Sequence, residues 1–81
     1  MEGKKVKIHL HTPILVASPQ NEAPSHYEQA IQAITGKVRK ATEAGVIVEV
    51  SEFTGERGES FLPPYAELFL PHHKIDHIYI L

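Results

Sequence analysis

The chain has 81 residues, a formal charge of −2, six histidines and no cysteine. That length makes one small domain near the lower limit for folding alone, and the missing cysteines exclude disulfides and thiolate metal sites as reinforcement. An oligomer or a histidine-bound metal is left to supply it. The acidic balance excludes a generally basic protein that coats nucleic-acid phosphates. No apolar run approaches the roughly 18 residues that span a bilayer, and residues 1–5 lead into alternation rather than a signal-peptide core. A cytoplasmic chain without a membrane partner is expected.

Residues 5–11, Lys-Val-Lys-Ile-His-Leu-His, alternate strictly. Val6, Ile8 and Leu10 face one way and Lys5, Lys7, His9 and His11 the other, the two-residue period of a half-buried strand. Thr12-Pro13 breaks it, because proline cannot donate to a ladder, and Ile14-Leu15-Val16 can extend the strand past the bend. Residues 18–24 form a polar loop with two prolines. Ser25 as N-cap with Glu28 three residues on makes a capping box, and Tyr27, Ala30, Ile31 and Ile34 follow at helical spacing. A short helix is expected here. Val38 and Ala41 would keep its period as far as Ala44, whereas Gly36 would cap it near Thr35. Glycine inside a helix costs about 1 kcal/mol, which favours the cap, with residues 37–42 as a strand and Gly45 in a turn at positive φ.

Residues 45–53 are the clearest strand, with Val46, Val48 and Val50 on one face and Ile47, Glu49 and Ser51 on the other. Residues 54–60 are an acidic loop, and Pro63-Pro64 prevents regular structure. Residues 66–70 and 75–81 read as two more strands around Pro71-His72-His73-Lys74. The whole is a single domain over residues 1–81, mainly β with one short helix, in which residues 17–35 are a loop and helix inserted after the first strand. A helix continuous from His26 to Ala44 would instead give an α+β fold, one helix packed on an antiparallel sheet.

Charge is uneven along the chain. Lys4, Lys5, Lys7, Lys37, Arg39 and Lys40 outweigh Glu2, Glu22 and Glu28, whereas Glu43, Glu49, Glu52, Glu56, Glu59, Glu67 and Asp76 outweigh Arg57 and Lys74. One basic and one acidic surface can follow, or else ordinary solvated strand faces. His9 and His11, on one strand face about two rises apart, can chelate a metal, with His77 as a third ligand if the last strand pairs with the first. The plain alternative is that they are solvent-facing polar positions, and no cofactor is expected. Catalysis finds little support. There is no cysteine nucleophile, Gly55-x-x-Gly58 is too short and acidic to cradle a phosphate, and no serine has a nucleophile context. The chain reads as a binding module and not an enzyme. Phe61-Leu62-Pro63-Pro64-Tyr65 resembles a proline-rich docking segment, or packs its aromatics on the end of the fold.

The segment ITGKVRKATEAGVIVEV, residues 34–50, resembles the middle of the Sm-like proteins, where a strand carrying a glycine returns through a polar turn into a strand of branched residues. ELFLPHHKIDHIYI, residues 67–80, resembles the family's second motif: a strand, a short polar loop and a strand reading Ile-x-x-Ile. The bacterial Sm-like RNA chaperone has a Lys-His pair followed by isoleucine in that loop; His72, His73 and Ile75 fall on those positions. Thr42, Glu43 and Gly45 stand where the family has its Asp and Asn. The resemblance implies a strongly bent five-stranded antiparallel Sm-like or SH3-like barrel that assembles with itself into a ring. It further implies that single-stranded RNA is held by His72, His73 and Lys74 in a pore loop, with Thr42 and Glu43 beside them. The reading from another class is a small β-barrel adaptor that binds a protein partner and no nucleic acid, which the acidic total charge favours.

Overall fold

The computed structural model describes residues 2–17, 28–62 and 67–81. Six antiparallel strands form one sheet: β1 (Lys5–Ala17), β2 (Glu28–Ala41), β3 (Gly45–Gly55), β4 (Ser60–Phe61), β5 (Glu67–Pro71) and β6 (Ile75–Ile80). A single 3-10 turn at His72–Lys74 joins β5 to β6. β1, β2 and β3 form a meander. β4 and β5 pair with opposite ends of β3, and β6 returns to the far side of β1. Among the described residues, hydrogen bonds do not close this sheet, since β5 pairs only with β3 and β6 only with β1. No helix among the described residues is long and apolar enough to cross a membrane.

The core follows from the alternation. Val6, Ile8 and Leu10 of β1 and Val46, Val48 and Val50 of β3 are all buried, as their two-residue period requires. They form one cluster with Ile31, Ile34 and Val38 of β2, Phe53 of β3 and Leu70 of β5, and Ile75 and Ile78 of β6 pack against it. Each such side chain contributes about 1.5–3 kcal/mol by leaving water. No α-helix among the described residues covers this face, so the sheet must curl over its own inner surface. The 3-10 turn touches both β1 and β3, bridging chain segments that the strand ladder leaves apart.

The expected helix is corrected. Glu28–Ala41 is strand, and the Ser25 cap itself lies outside the described residues. The alternative of a helix packed on an antiparallel sheet falls with it among the described residues. Three irregularities interrupt the β2–β3 ladder, and the first of them explains why the spacing misleads. Ile31 pairs with Gly55 and Ala33 with Thr54, leaving Gln32 as an extra residue on β2; Arg39 is extra between Val38 and Lys40, and Ser51 is extra on β3. The Gln32 bulge falls between Ile31 and Ile34 and shifts the side-chain phase by one, and Gly36 takes the inward position between Ile34 and Val38, so the buried series Ile31, Ile34, Val38 is spaced by three and four as on a helix.

The bulged side chains then span the gaps they create. Gln32 Nε2 donates to Leu10 O at 2.9 Å, where β1 breaks register between His9 and Ile14 around Pro13. Ser51 Oγ donates to Thr35 O at 3.1 Å, and Arg39 reaches Glu67 of β5 at 2.5 Å.

Both glycines of the resembling segment differ from expectation. Gly36 lies inside β2 and Gly45 opens β3, and neither has positive φ; Gly3 and Gly58 do. A Cβ on Gly36 would collide with the Glu49 carbonyl and Val48, and one on Gly45 with the Leu70 carbonyl. These glycines allow close strand approach. The acidic loop is shorter than expected, because Ser60 and Phe61 pair with Thr54 and Phe53.

Candidate functional site

The polar turn between β2 and β3 is built on Thr42. Its hydroxyl accepts from the amides of Ala44 and Gly45, both at 3.2 Å, and donates to Gly45 O at 3.0 Å. The 3-10 turn docks onto it. His72 N donates to Ala44 O at 3.1 Å, and His72 Nε2 lies 2.9 Å from Thr42 O. A carbonyl only accepts, so the ring proton is on Nε2. The structure therefore brings His72 to Thr42 and the turn that carries Glu43, although they are thirty residues apart in the chain. His73 and Glu43 are exposed and Lys74 is half-buried. His72 uses its ring to hold the two turns together, which leaves exposed His73 and half-buried Lys74 as the other donors of the loop.

His9, His11 and His77 meet on the outer face of β1 and β6. The first and last strands do pair, with His9 in register with His77 and Lys7 with Tyr79. The imidazoles of His9 and His77 stack, centroids 4.7 Å apart and planes 14° apart. Tyr79 stands nearly perpendicular to both, at 5.3 Å from His9 and 4.9 Å from His77. Asp76 is the extra residue of a bulge between His9–His77 and Leu10–Ile75, and its carboxylate lies 3.2 Å from His77 Nδ1 and 3.8 Å from His11 Nδ1. Lone pairs lie in the ring plane, so stacked imidazoles aim theirs side by side rather than at one point. Among the described residues no three His, Asp or Glu side chains are grouped to hold a metal ion. His9 and His77 thus form a stacked pair, with the Asp76 carboxylate between His77 and His11.

His9 titrates below its ordinary 6.5, chiefly because burial disfavours its charged form, with further lowering from His77 and Lys7 and an opposing pull from Asp76. As pH falls through 6.5, the unfolded chain takes up a proton before the folded one does. The stability associated with neutral His9 is present in full above 6.5 and is lost below it, toward the lower folded value. The urea midpoint is expected to fall between pH 7.5 and pH 5, and to fall less in His9→Gln. Equal pH profiles for the two proteins would refute this.

Charges segregate on the same outer face. Lys5 lies opposite Lys37 and Lys7 opposite Thr35, while Glu49 and Glu52 of β3 continue the row beyond β2 and Glu67 of β5 lies opposite Glu49. A basic half over β1 and β2 thus adjoins an acidic half over β3 and β5. A shallow depression of about 400 Å³ sits at their boundary, lined by Lys5, Gly36, Lys37, Glu49, Val50 and Ser51. In the proline-rich segment, Phe61 is half-buried against the core and Leu62 is 88% exposed, and residues 63–66 lie outside the described residues. The sequence alone did not single out Tyr79 or the Lys5–Lys37 pair, because both depend on strand partners that local patterns do not name. Compared with known proteins, the chain matches no family model, no curated protein and no solved structure.

Proposed function

We propose that the chain is an RNA-binding module of the Sm-like small-barrel type, acting as a homo-oligomeric ring whose 72–74 loops contact single-stranded RNA. The observation that carries this reading is the junction of the two turns through His72, 2.9 Å from Thr42 O. It gathers His73, Lys74, Thr42 and Glu43 at one locus, the combination the resemblance nominates. The order β5-β3-β2-β1-β6, with a 3-10 turn between the last two strands, suits a small barrel. The open outer edges of β5 and β6 suit a ring in which β5 of one copy pairs with β6 of the next. Repetition around an axis would multiply contacts that are individually weak in salt water.

Sedimentation is expected to show roughly five to seven subunits, the range the resemblance implies. A labelled oligouridylate RNA should bind by fluorescence anisotropy and weaken with salt through counterion release. His73→Ala with Lys74→Ala should remove the loop's share of the binding and leave the oligomer intact. A clean monomer at micromolar concentration would remove the ring. A second reading, an adaptor for a protein partner, draws on Phe69 and Ile80, 47% and 59% exposed on the two edge strands. Absence of RNA binding by an intact oligomer at low salt would select it.

A further inference from the structure

The outer face of β6, β1 and β2 presents an unusual pairing of groups for a solvated strand surface. Lys5 and Lys37 are directly opposite, and Lys7 follows on the same face of β1. Like charges placed opposite one another destabilise a strand pair; Glu49, in register with Lys37 on its other side, offsets part of this, whereas Lys7 faces Thr35 and Tyr79 rather than a carboxylate. Beside the lysines lies an aromatic row, Tyr79 with the stacked His9 and His77. Tyr79 is 53% exposed, so about half of it is open to a ligand from solvent. Two carboxylates adjoin the area. Asp76 is engaged by His77 and His11, and Glu49, on the far wall of the 400 Å³ depression, lies in register with Lys37.

We infer that this face is a second binding surface, for single-stranded nucleic acid, with bases stacking on Tyr79 and the His9–His77 pair and phosphates meeting Lys5, Lys7 and Lys37. The occupant follows from complementarity. A polyanion answers the three lysines, and only a polyanion that also carries flat apolar rings answers the aromatic row, in which Tyr79 lies opposite Lys7 and His9 two residues beyond it on the same face. Double-stranded nucleic acid would hide its base faces from Tyr79, and a plain sulfated polymer has none to offer. The surface lies on the sheet itself and needs no neighbouring copy. It goes beyond the loop reading and does not depend on it.

The test uses the full chain with labelled oligouridylate RNA and oligothymidylate DNA of equal length, followed by anisotropy; the two probes separate RNA from DNA as the source of the same chemistry. Tyr79→Ala is expected to weaken binding about tenfold, and Tyr79→Phe, which keeps the ring, to bind as the parent does. Lys7→Ala should lower the salt slope by about one. Heparin binding should be insensitive to Tyr79→Ala. If His73→Ala with Lys74→Ala abolishes binding while the Tyr79 and Lys7 variants bind normally, the loop reading stands and this inference is overturned. If the face variants weaken binding and the loop variant does not, the inference stands and the loop reading fails. Equal loss with Tyr79→Ala and Tyr79→Phe would also overturn it, because stacking needs no hydroxyl.

Discussion

Gly36→Ala is expected to remove about 3 kcal/mol of stability, the upper end of what overpacking costs. Gly36 has no positive φ, so alanine fits its backbone, and strand propensity alone would make the change mildly favourable. The obstacle is spatial. The added methyl would meet the Glu49 carbonyl and carbon and the Val48 side chain, and the backbone atoms cannot swing away as a side-chain tip could. Relief requires β2 and β3 to part beside the Ser51 bulge, where the valines of β3 are buried. A domain of this size holds roughly 5 kcal/mol in all, so the variant should be partly unfolded at 37 °C. Urea denaturation followed by circular dichroism measures it. A midpoint equal to that of the parent would show that the strands are not held this close.

Phe53→Ala should cost about 3–5 kcal/mol, the range for removing a buried aromatic ring. Phe53 is only 1% exposed and is among the largest fully buried side chains. It lies opposite Ile34 of β2 on one side and Phe61 of β4 on the other, so its loss opens a cavity where three strands meet. Leu62→Ala is the matched control, since Leu62 is almost wholly exposed and its truncation should stay within about 0.5 kcal/mol. Both can be read from thermal and urea midpoints. A Phe53→Ala effect no larger than that of Leu62→Ala would contradict the core assignment.

Where the chain alternates without bulges, the fold is legible. Lys5 to His9 and Val46 to Val50 show their inward and outward faces in the letters alone, and both are strands with those faces in the structure. The break at Thr12-Pro13 also appears, as the gap in pairing between His9 and Ile14. Residues 28–34 fail for a definable reason. A strand whose ladder carries an extra residue at Gln32 and a glycine at the inward position 36 adopts the burial spacing of a helix, and a period count cannot tell the two apart. Of the candidate site, the loop 72–74 and the turn around Thr42 were visible as polar interruptions between strands. Their contact was not, because it depends on how the sheet curls. The stacking of His9 on His77 was visible only conditionally, as a consequence of the last strand returning to the first.

That return has a kinetic consequence. The β2–β3 hairpin turns within residues 42–44 and can zip from a local nucleus, whereas β6 must find β1 across nearly the whole length of the chain, ending with Leu81 N donating to Lys5 O at 2.9 Å. Closing so large a loop uses chain entropy before any contact rewards it. Folding should therefore be slow for so small a protein, with the central hairpin arriving early and docking of β6 completing the transition. Until then the Lys7 side of β1 stays a bare backbone edge, so the interval before β6 arrives is when one chain is most open to pairing with another.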